Sequence, residues 1–149
     1  MSVQIEGTEE VQRNLAALAA KYGQATTDAA IAGGNLVRTT AIRSIQSQSS
    51  GREVTRTREG GGQYRHIAAS AGHAPNTDTG RLVSSIQVDV RQSDVFVGST
   101  LEYAAPLEFG TTRMQPRPWL NPALEQNRRT IERLFRQGVD RVSRTDGDV

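Results

Sequence analysis

DTGRLVSSIQVDVRQSDVFVG, residues 78–98, decides the fold class. It opens as a short helix: Asp78 has the side chain of an N-cap, and Leu82, Val83 and Ile86 face one side on a helix running through Ser85. The period then drops to that of a strand. Ile86, Val88 and Val90 alternate with Gln87, Asp89 and Arg91, the pattern of a half-buried strand. Gln92-Ser93-Asp94 turns the chain, and Val95, Phe96 and Val97 return antiparallel, closed by Gly98. A helix that feeds directly into an antiparallel hairpin belongs to an α+β domain, not to a parallel sheet with crossover helices.

Helical patterns surround this hairpin. Tyr103 to Phe109 reads as one or two helical turns with Pro106 near the start, and GTTRMQPR at 110–117 as a loop. Asn121 followed by Pro122 is a helix start, a capping side chain and then proline at the first helical position. Leu124, Ile131, Leu134, Phe135 and Val142 carry that helix to about Arg144, with Arg128, Arg129, Glu132, Arg133 and Arg136 on its polar side, and 145–149 as a frayed tail. Towards the N-terminus, Val3 and Ile5 suggest a short strand. Thr8 caps a helix with Val11, Leu15, Leu18, Ala19 and Tyr22 on one face, ending near Gly23. A second helix is expected from about Thr27 to Gln46, with Ala30, Ile31, Val37, Ala41, Ile42 and Ile45 as its stripe. Gly33-Gly34 inside it implies a bend, the close approach of another backbone, or a break into two shorter helices. From 48 to 77 the periodicity lapses, and this stretch is expected to be a long flexible loop, with Val54 and Tyr64 as candidates for a mobile hairpin over Gly60, Gly61 and Gly62. The expected architecture is a single α+β domain, 1–149: N-terminal helices and a long C-terminal helix packed on a small antiparallel sheet.

Composition narrows the function classes. Hydrophobic residues make up 36% of the 149, below the roughly 45–50% usual for globular domains, so one copy buries a modest core. Cysteine is absent, which excludes disulfides and thiolate metal sites. His66 and His73 lack helical ligand spacing, so no metal or cofactor is expected. No run of about 18 apolar residues suggests a membrane span, and MSVQIEGTEE lacks the features of a secretory signal; a soluble protein made in a cytoplasm is expected. The net charge is +2, and all the cations except Lys21 are arginine, a residue suited to interfaces and phosphates.

No catalytic constellation emerges. The acid/base candidates are Asp78, Asp89, Glu102, Glu108 and the two histidines, His66 and His73; Glu108 is the most interesting carboxylate, because it sits among apolar residues in YAAPLEFGT. Its two readings are a general acid in a buried site and a hydrogen-bonding group that fixes the Gly110 turn; the second is preferred. Arg52, Arg56, Arg58 and Arg65, with Tyr64 as a stacking partner, form a candidate partner- or DNA-facing loop, though Glu53 and Glu59 interrupt it.

Three segments, read in order, carry a resemblance: DTGRLVSSI at 78–86, YAAPLEFGT at 103–111 and RPWLNPALEQN at 117–127. Together they resemble the tail-component family of neck or tail-completion proteins of long-tailed bacteriophages. The matching residues are Asp78, Thr79, Gly80, Leu82, Ser85 and Ile86; Tyr103, Ala104, Glu108, Phe109, Gly110 and Thr111; and Pro118, Trp119, Leu120, Pro122, Ala123 and Leu124. The resemblance extends loosely to the N-terminal helices and leaves 50–75 unmatched.

It implies a structural virion protein, assembled in the host bacterial cytoplasm, with no cofactor and no catalysis. Copies would form a ring at the head-tail junction, joining the capsid connector to the tail tube. Neighbours would be connector or head-closure proteins and tail-tube or tail-terminator proteins, with transient contact with DNA in the channel. Six-fold symmetry is preferred as a family feature, with twelve-fold as the alternative. A tail-terminator role is the alternative within the family, and a DNA-binding accessory protein the alternative outside it. On the residues alone, Asp78 and Gly80 set the entry of the short helix, Gly110 permits a tight turn with positive φ, and Phe109 and Trp119 are large apolar groups suited either to an interface or to the core, with core packing preferred for Phe109.

Overall fold

Apolar and small residues recur on one face of the chain from Val11 to Ile45, and a single helix, α1 (Thr8–Gln46), carries them all. This is the computed structural model of the chain, and it describes residues 8–47 and 49–146. The strand expected at Val3 and Ile5 lies outside those residues. Two N-terminal helices were expected on the strength of Gly23; the helix runs through it instead. Thr26 and Thr27 donate their hydroxyls back to the carbonyls of Tyr22 and Gly23, which closes the turn around the glycine. Tertiary packing of the rest of the face outweighs a propensity cost of about 1 kcal/mol.

After α1 come β1 (Gly51–Thr57), β2 (Gln63–Ala69), α2 (Arg81–Ser85), β3 (Ile86–Arg91), β4 (Asp94–Ser99), α3 (Ala104–Phe109) and α4 (Asn121–Asp146). This is the α+β class, helices against small antiparallel sheets. β3 and β4 pair from Ile86↔Ser99 to Arg91↔Asp94 around a two-residue turn in which Gln92 takes φ 56°. The segment 48–77 is not the long flexible loop that its composition suggested. β1 and β2 pair over seven residues, from Gly51↔Ala69 to Thr57↔Gln63. Gly60 and Gly61, at φ 105° and 92°, turn the chain between them. The period-two signal was present in Tyr64, His66 and Ala68, which are half-buried while Arg65 and Ile67 are exposed. It was obscured because the buried residues of the alternation are a tyrosine, a histidine and an alanine rather than aliphatic ones. The two hairpins form separate two-stranded sheets. Thr145 and Asp146, expected in a frayed tail, belong to α4; the rest of that expected tail, residues 147–149, lies outside the described residues.

The core gathers Val37, Ala41 and Ile45 of α1, Leu82 and Ile86, Ala104, Trp119 and Ala123. Trp119 is 2% exposed, so of its two readings the core one holds. α4 lies antiparallel along α1. Tyr22 Oη meets Ser143 Oγ at 2.9 Å, and Asn127 Nδ2 donates to Thr40 Oγ1 at 2.8 Å.

Gly33-Gly34 does not break α1, which is continuous from Thr8 to Gln46. What approaches is side chain rather than backbone: a Cβ on Gly33 would lie 3.1 Å from Ile131 Cγ1, and one on Gly34 would lie 2.8 Å from Val95 Cγ1 and 3.2 Å from Val88 Cγ1. The glycines let α4 and the β3–β4 hairpin press on the same turn of α1. Gly34→Val is therefore expected to cost about 2 kcal/mol through overpacking against two stiff valines. Gly23→Ala, where a Cβ would meet nothing within 4 Å, is expected to gain about 1 kcal/mol. Urea denaturation of both variants checks the pair; equal shifts would contradict the close approach at Gly34.

Candidate functional site

Two carboxylates from the motif segments each tie together stretches of chain that are separate in sequence: Glu108 links the second segment to the third, and Asp78 links the first to the β1–β2 hairpin. The first is Glu108, near the end of α3 and 7% exposed. Its Oε2 accepts the backbone N–H groups of Trp119 at 2.7 Å and Leu120 at 2.9 Å, and its Oε1 accepts that of Asn121 at 2.8 Å. It thus fixes the entry into α4, not the Gly110 turn as expected. The first bond of α4 runs from Leu124 N to Leu120 O, so Leu120 holds the cap position, one residue before Asn121. Asn121 N–H goes to Glu108 and Pro122 has none, so two of the helix's opening positions need no other partner. A carboxylate there also meets the positive end of the helix dipole. Both oxygens are committed to backbone donors, which supports the structural reading of Glu108 over the general-acid one.

Gly110 completes this corner. It takes φ 75°, as expected, and a Cβ there would lie 2.8 Å from Met114 O and 2.9 Å from Pro116 N. Arg117 N–H returns to Leu107 O at 2.7 Å, and Thr111 pairs with Met114 across the loop. Pro106 through Trp119 is therefore a tied Ω-shaped excursion on a helical base. Phe109 projects from it with 79% of its surface exposed, so the core reading preferred for it does not hold. Tyr103 is exposed at the start of α3, while Ala104 and Ala123 are buried beside Trp119, whose Nε1 points at Ala104 O, 3.5 Å away. Leu124 is exposed, and Pro118, Leu120 and Pro122 are half-buried.

The second carboxylate is Asp78. It does not cap α2: that helix is capped by Gly80, in the left-handed region at φ 77°, with no side-chain bond. Asp78 instead faces the β1–β2 hairpin. It accepts the Tyr64 hydroxyl at 2.5 Å on Oδ1 and a guanidinium N–H of Arg56 (Nη1) on Oδ2, and His66 Nδ1 stands 3.7 Å from Oδ1. The hydrogen bond to Asp78 holds the Tyr64 phenol above its ordinary pKa, and the desolvation and negative charge there act in the same direction. A cleft of about 490 Å³ opens beside Asp78, lined by Arg56, His66, Arg81, Leu82, Tyr103 and Arg117 among others. Leu82 and Ile86 are core anchors, as expected, and Ser85 bonds Ser99 across the start of the second hairpin at 2.7 Å; Thr79 and Thr111 are exposed.

The arginines of the hairpin do not form one cationic surface. Directly paired residues share a face, so Arg52, Arg56, Tyr64 and His66 lie on one face, where Arg56, Tyr64 and His66 meet Asp78, while Arg65 lies on the other and meets Glu53 at 3.3 Å. Arg58 stacks on the Tyr64 ring, 5.3 Å from its centre. Tyr64, the proposed base-stacking residue, is thus occupied on its hydroxyl and on its ring.

Sequence reasoning missed Asn76. Buried at 8% exposure, it takes Ser49 N–H and Ser49 Oγ on its oxygen and donates to Ser49 O and Ile67 O, all within 2.8–3.0 Å. Beside it, Thr77 donates both its N–H and its hydroxyl to Ile45 O, the last turn of α1. The only local signal was its place after Pro75, which reads as a turn.

Among the described residues no group of three His, Cys, Asp or Glu is placed to hold a metal ion, and no helix is long and apolar enough to cross a membrane. Comparison with protein-family models, with curated proteins and with solved structures gives no match to this chain.

Proposed function

We propose that this chain is a structural subunit of a tailed bacteriophage that assembles with copies of itself into a ring at the head-tail junction, between capsid connector and tail tube. The observation that carries the reading is Phe109. A large aromatic side chain stands almost fully exposed on a corner that Glu108 and Gly110 hold rigid. Exposed aromatics on fixed elements are the usual anchors of protein interfaces. Further apolar side chains are exposed on other elements: Phe96 and Val90 on the second hairpin, Val11 and Leu15 on α1. A ring subunit needs two different faces of this kind, because each copy meets its neighbours head to tail. Arg129, Arg133 and Arg136 on α4 add an exposed cationic flank.

Native mass spectrometry of the purified chain is expected to give a closed oligomer, six-fold by preference. Phe109→Ser is expected to fold with unchanged stability and to form that oligomer at least tenfold more weakly. In infected cells, loss of the chain is expected to leave filled heads and finished tails unjoined, whereas tails of uncontrolled length would favour the terminator role. Normal infectious particles made without it would overturn the proposal.

A further inference from the structure

We infer that the first three turns of α1 dock, in a second copy of the chain, into the groove between that copy's α1 and α4. The inference rests on the self-assembling reading above and supplies it with an interface.

The contacts between the two long helices fix their register. Tyr22 meets Ser143, Gly138 lies against Ala25 O, Gly33 lies against Ile131, and Thr40 meets Asn127. By that register Asp146 comes level with Ala19 or Ala20, and Thr8 to Leu18 stand beyond the described end of α4, an overhang of roughly 16 Å. The face that α4 covers does not stop there. Val11, Leu15 and Leu18 continue the line of Tyr22, Ala25, Ala29 and Gly33, in steps of three and four residues. Val11 is 57% exposed and Leu15 60%. The helix seam thus runs on past the described end of α4.

Beside the paired part of the same helices lies a groove of about 500 Å³. Its floor on α1 is Ala25, Ala29 and Ala32, and Leu134, Gly138 and Val142 of α4 close it. The two surfaces share a spacing. Val11, Leu15 and Leu18 advance by four and then three residues, and so do Ala25, Ala29 and Ala32. Laid parallel with an offset of fourteen residues, Val11 and Leu18 of one copy stand over Ala25 and Ala32 of the other, and Leu15 comes level with Ala29, which α4 of its own chain covers to 7% exposure. Large against small is how close-packed helix interfaces fill space. Laid antiparallel, the steps run three and then four and the match is lost. The parallel offset also sets Glu10 level with Gln24, the level of Arg141 on the far wall, so opposite charges meet at the rim. Each copy offers both halves of the contact at different heights along one helix. The interface is therefore head-to-tail, and its repetition produces a ring or a fibre, not a two-fold dimer.

Because the chain has no cysteine, the variant Leu18→Cys/Ala32→Cys carries only two thiols. Within one copy they are about 21 Å apart on one helix, far beyond the roughly 7 Å between Cα atoms that a disulfide can span. Mild oxidation is expected to give a ladder of covalent multimers, and an equimolar mixture of the two single variants is expected to give dimers. Val11→Asp/Leu15→Asp, at exposed positions, is expected to keep helicity and melting temperature while weakening self-association at least tenfold by sedimentation. If the cysteine variant does not fold, the aspartate pair decides alone. Persistent oligomers with no ladder and no effect of the aspartates would overturn the docking and leave the ring standing. A wild-type chain that stays monomeric at every concentration would overturn both.

Discussion

Replacing Glu108 with alanine is expected to remove roughly 4 kcal/mol of folding stability, a large share of the 5–15 kcal/mol that holds an ordinary domain together. The carboxylate satisfies three backbone donors, at Trp119, Leu120 and Asn121, one of them buried and two partly so. Each buried donor left without an acceptor costs about 1–3 kcal/mol, and solvent reaching the two shallower groups keeps the sum below the upper limit. Glu108→Gln separates geometry from charge. Its amide oxygen can still serve two donors, but its amide nitrogen then faces the third, donor against donor, so a loss of roughly half as much is expected. Trp119 is the chain's only tryptophan and is buried beside this site, so its fluorescence reports the change directly. The alanine variant should shift the emission to longer wavelength before global unfolding, and the Trp119–Asn121 amides should lose hydrogen-exchange protection. A variant with an unchanged denaturation midpoint would mean that α4 starts without help from α3, and that the link between the second and third motifs is incidental.

This corner shows why some of the molecule was readable from residues alone and some was not. α4 and the β3–β4 hairpin carry their signals locally: an apolar stripe after Asn121-Pro122, and the alternation of Ile86, Val88 and Val90 before the turn at Gln92-Ser93 with an apolar run after it. Gly110 was readable because a left-handed turn needs glycine. The partners of Glu108 and Asp78 were not, because each acts across 11 to 22 residues of intervening chain on groups that carry no side-chain signature: backbone amides in one case, the inner face of a hairpin in the other. Asp78 in DTG has the local look of a cap, and local chemistry alone prefers that role; the docked hairpin supplies a tyrosine and an arginine that compete for the same oxygens. Phe109 and Trp119 are the sharpest case. Both are aromatic residues in motif segments, yet one is core and the other is surface, and only the tertiary position of α3 distinguishes them.

The β1–β2 hairpin is expected to unfold by itself when Asn76 becomes alanine. Its strands lie mainly on each other and scarcely touch the helices. What fastens the hairpin is polar: Asp78 to Tyr64 and Arg56, Arg117 Nε to Ala69 O at 2.9 Å, Ser70 Oγ to Ser50 O, and the four bonds of Asn76. Asn76 is the most buried of these and uses its full capacity on Ser49 and Ile67, the two ends of the hairpin's base. Its loss strands Ser49 N–H and the carbonyls of Ser49 and Ile67, a local cost of about 3 kcal/mol once some water enters. At about 1.4 kcal/mol per factor of ten, the open hairpin becomes roughly a hundredfold more populated. Asn76→Asp should be no milder, since it keeps the acceptor and sets a second carboxylate oxygen against two carbonyls. Arg52, Arg56, Arg58 and Arg65 place trypsin sites throughout the segment, so native-state cleavage there should accelerate by about that factor while opening stays fast relative to cleavage. Trp119 emission and the helical signal should stay as in the parent chain. Loss of both signals together with the hairpin would show instead that the molecule unfolds as one unit, with Asn76 part of the common core and the arm unable to move independently of the helices.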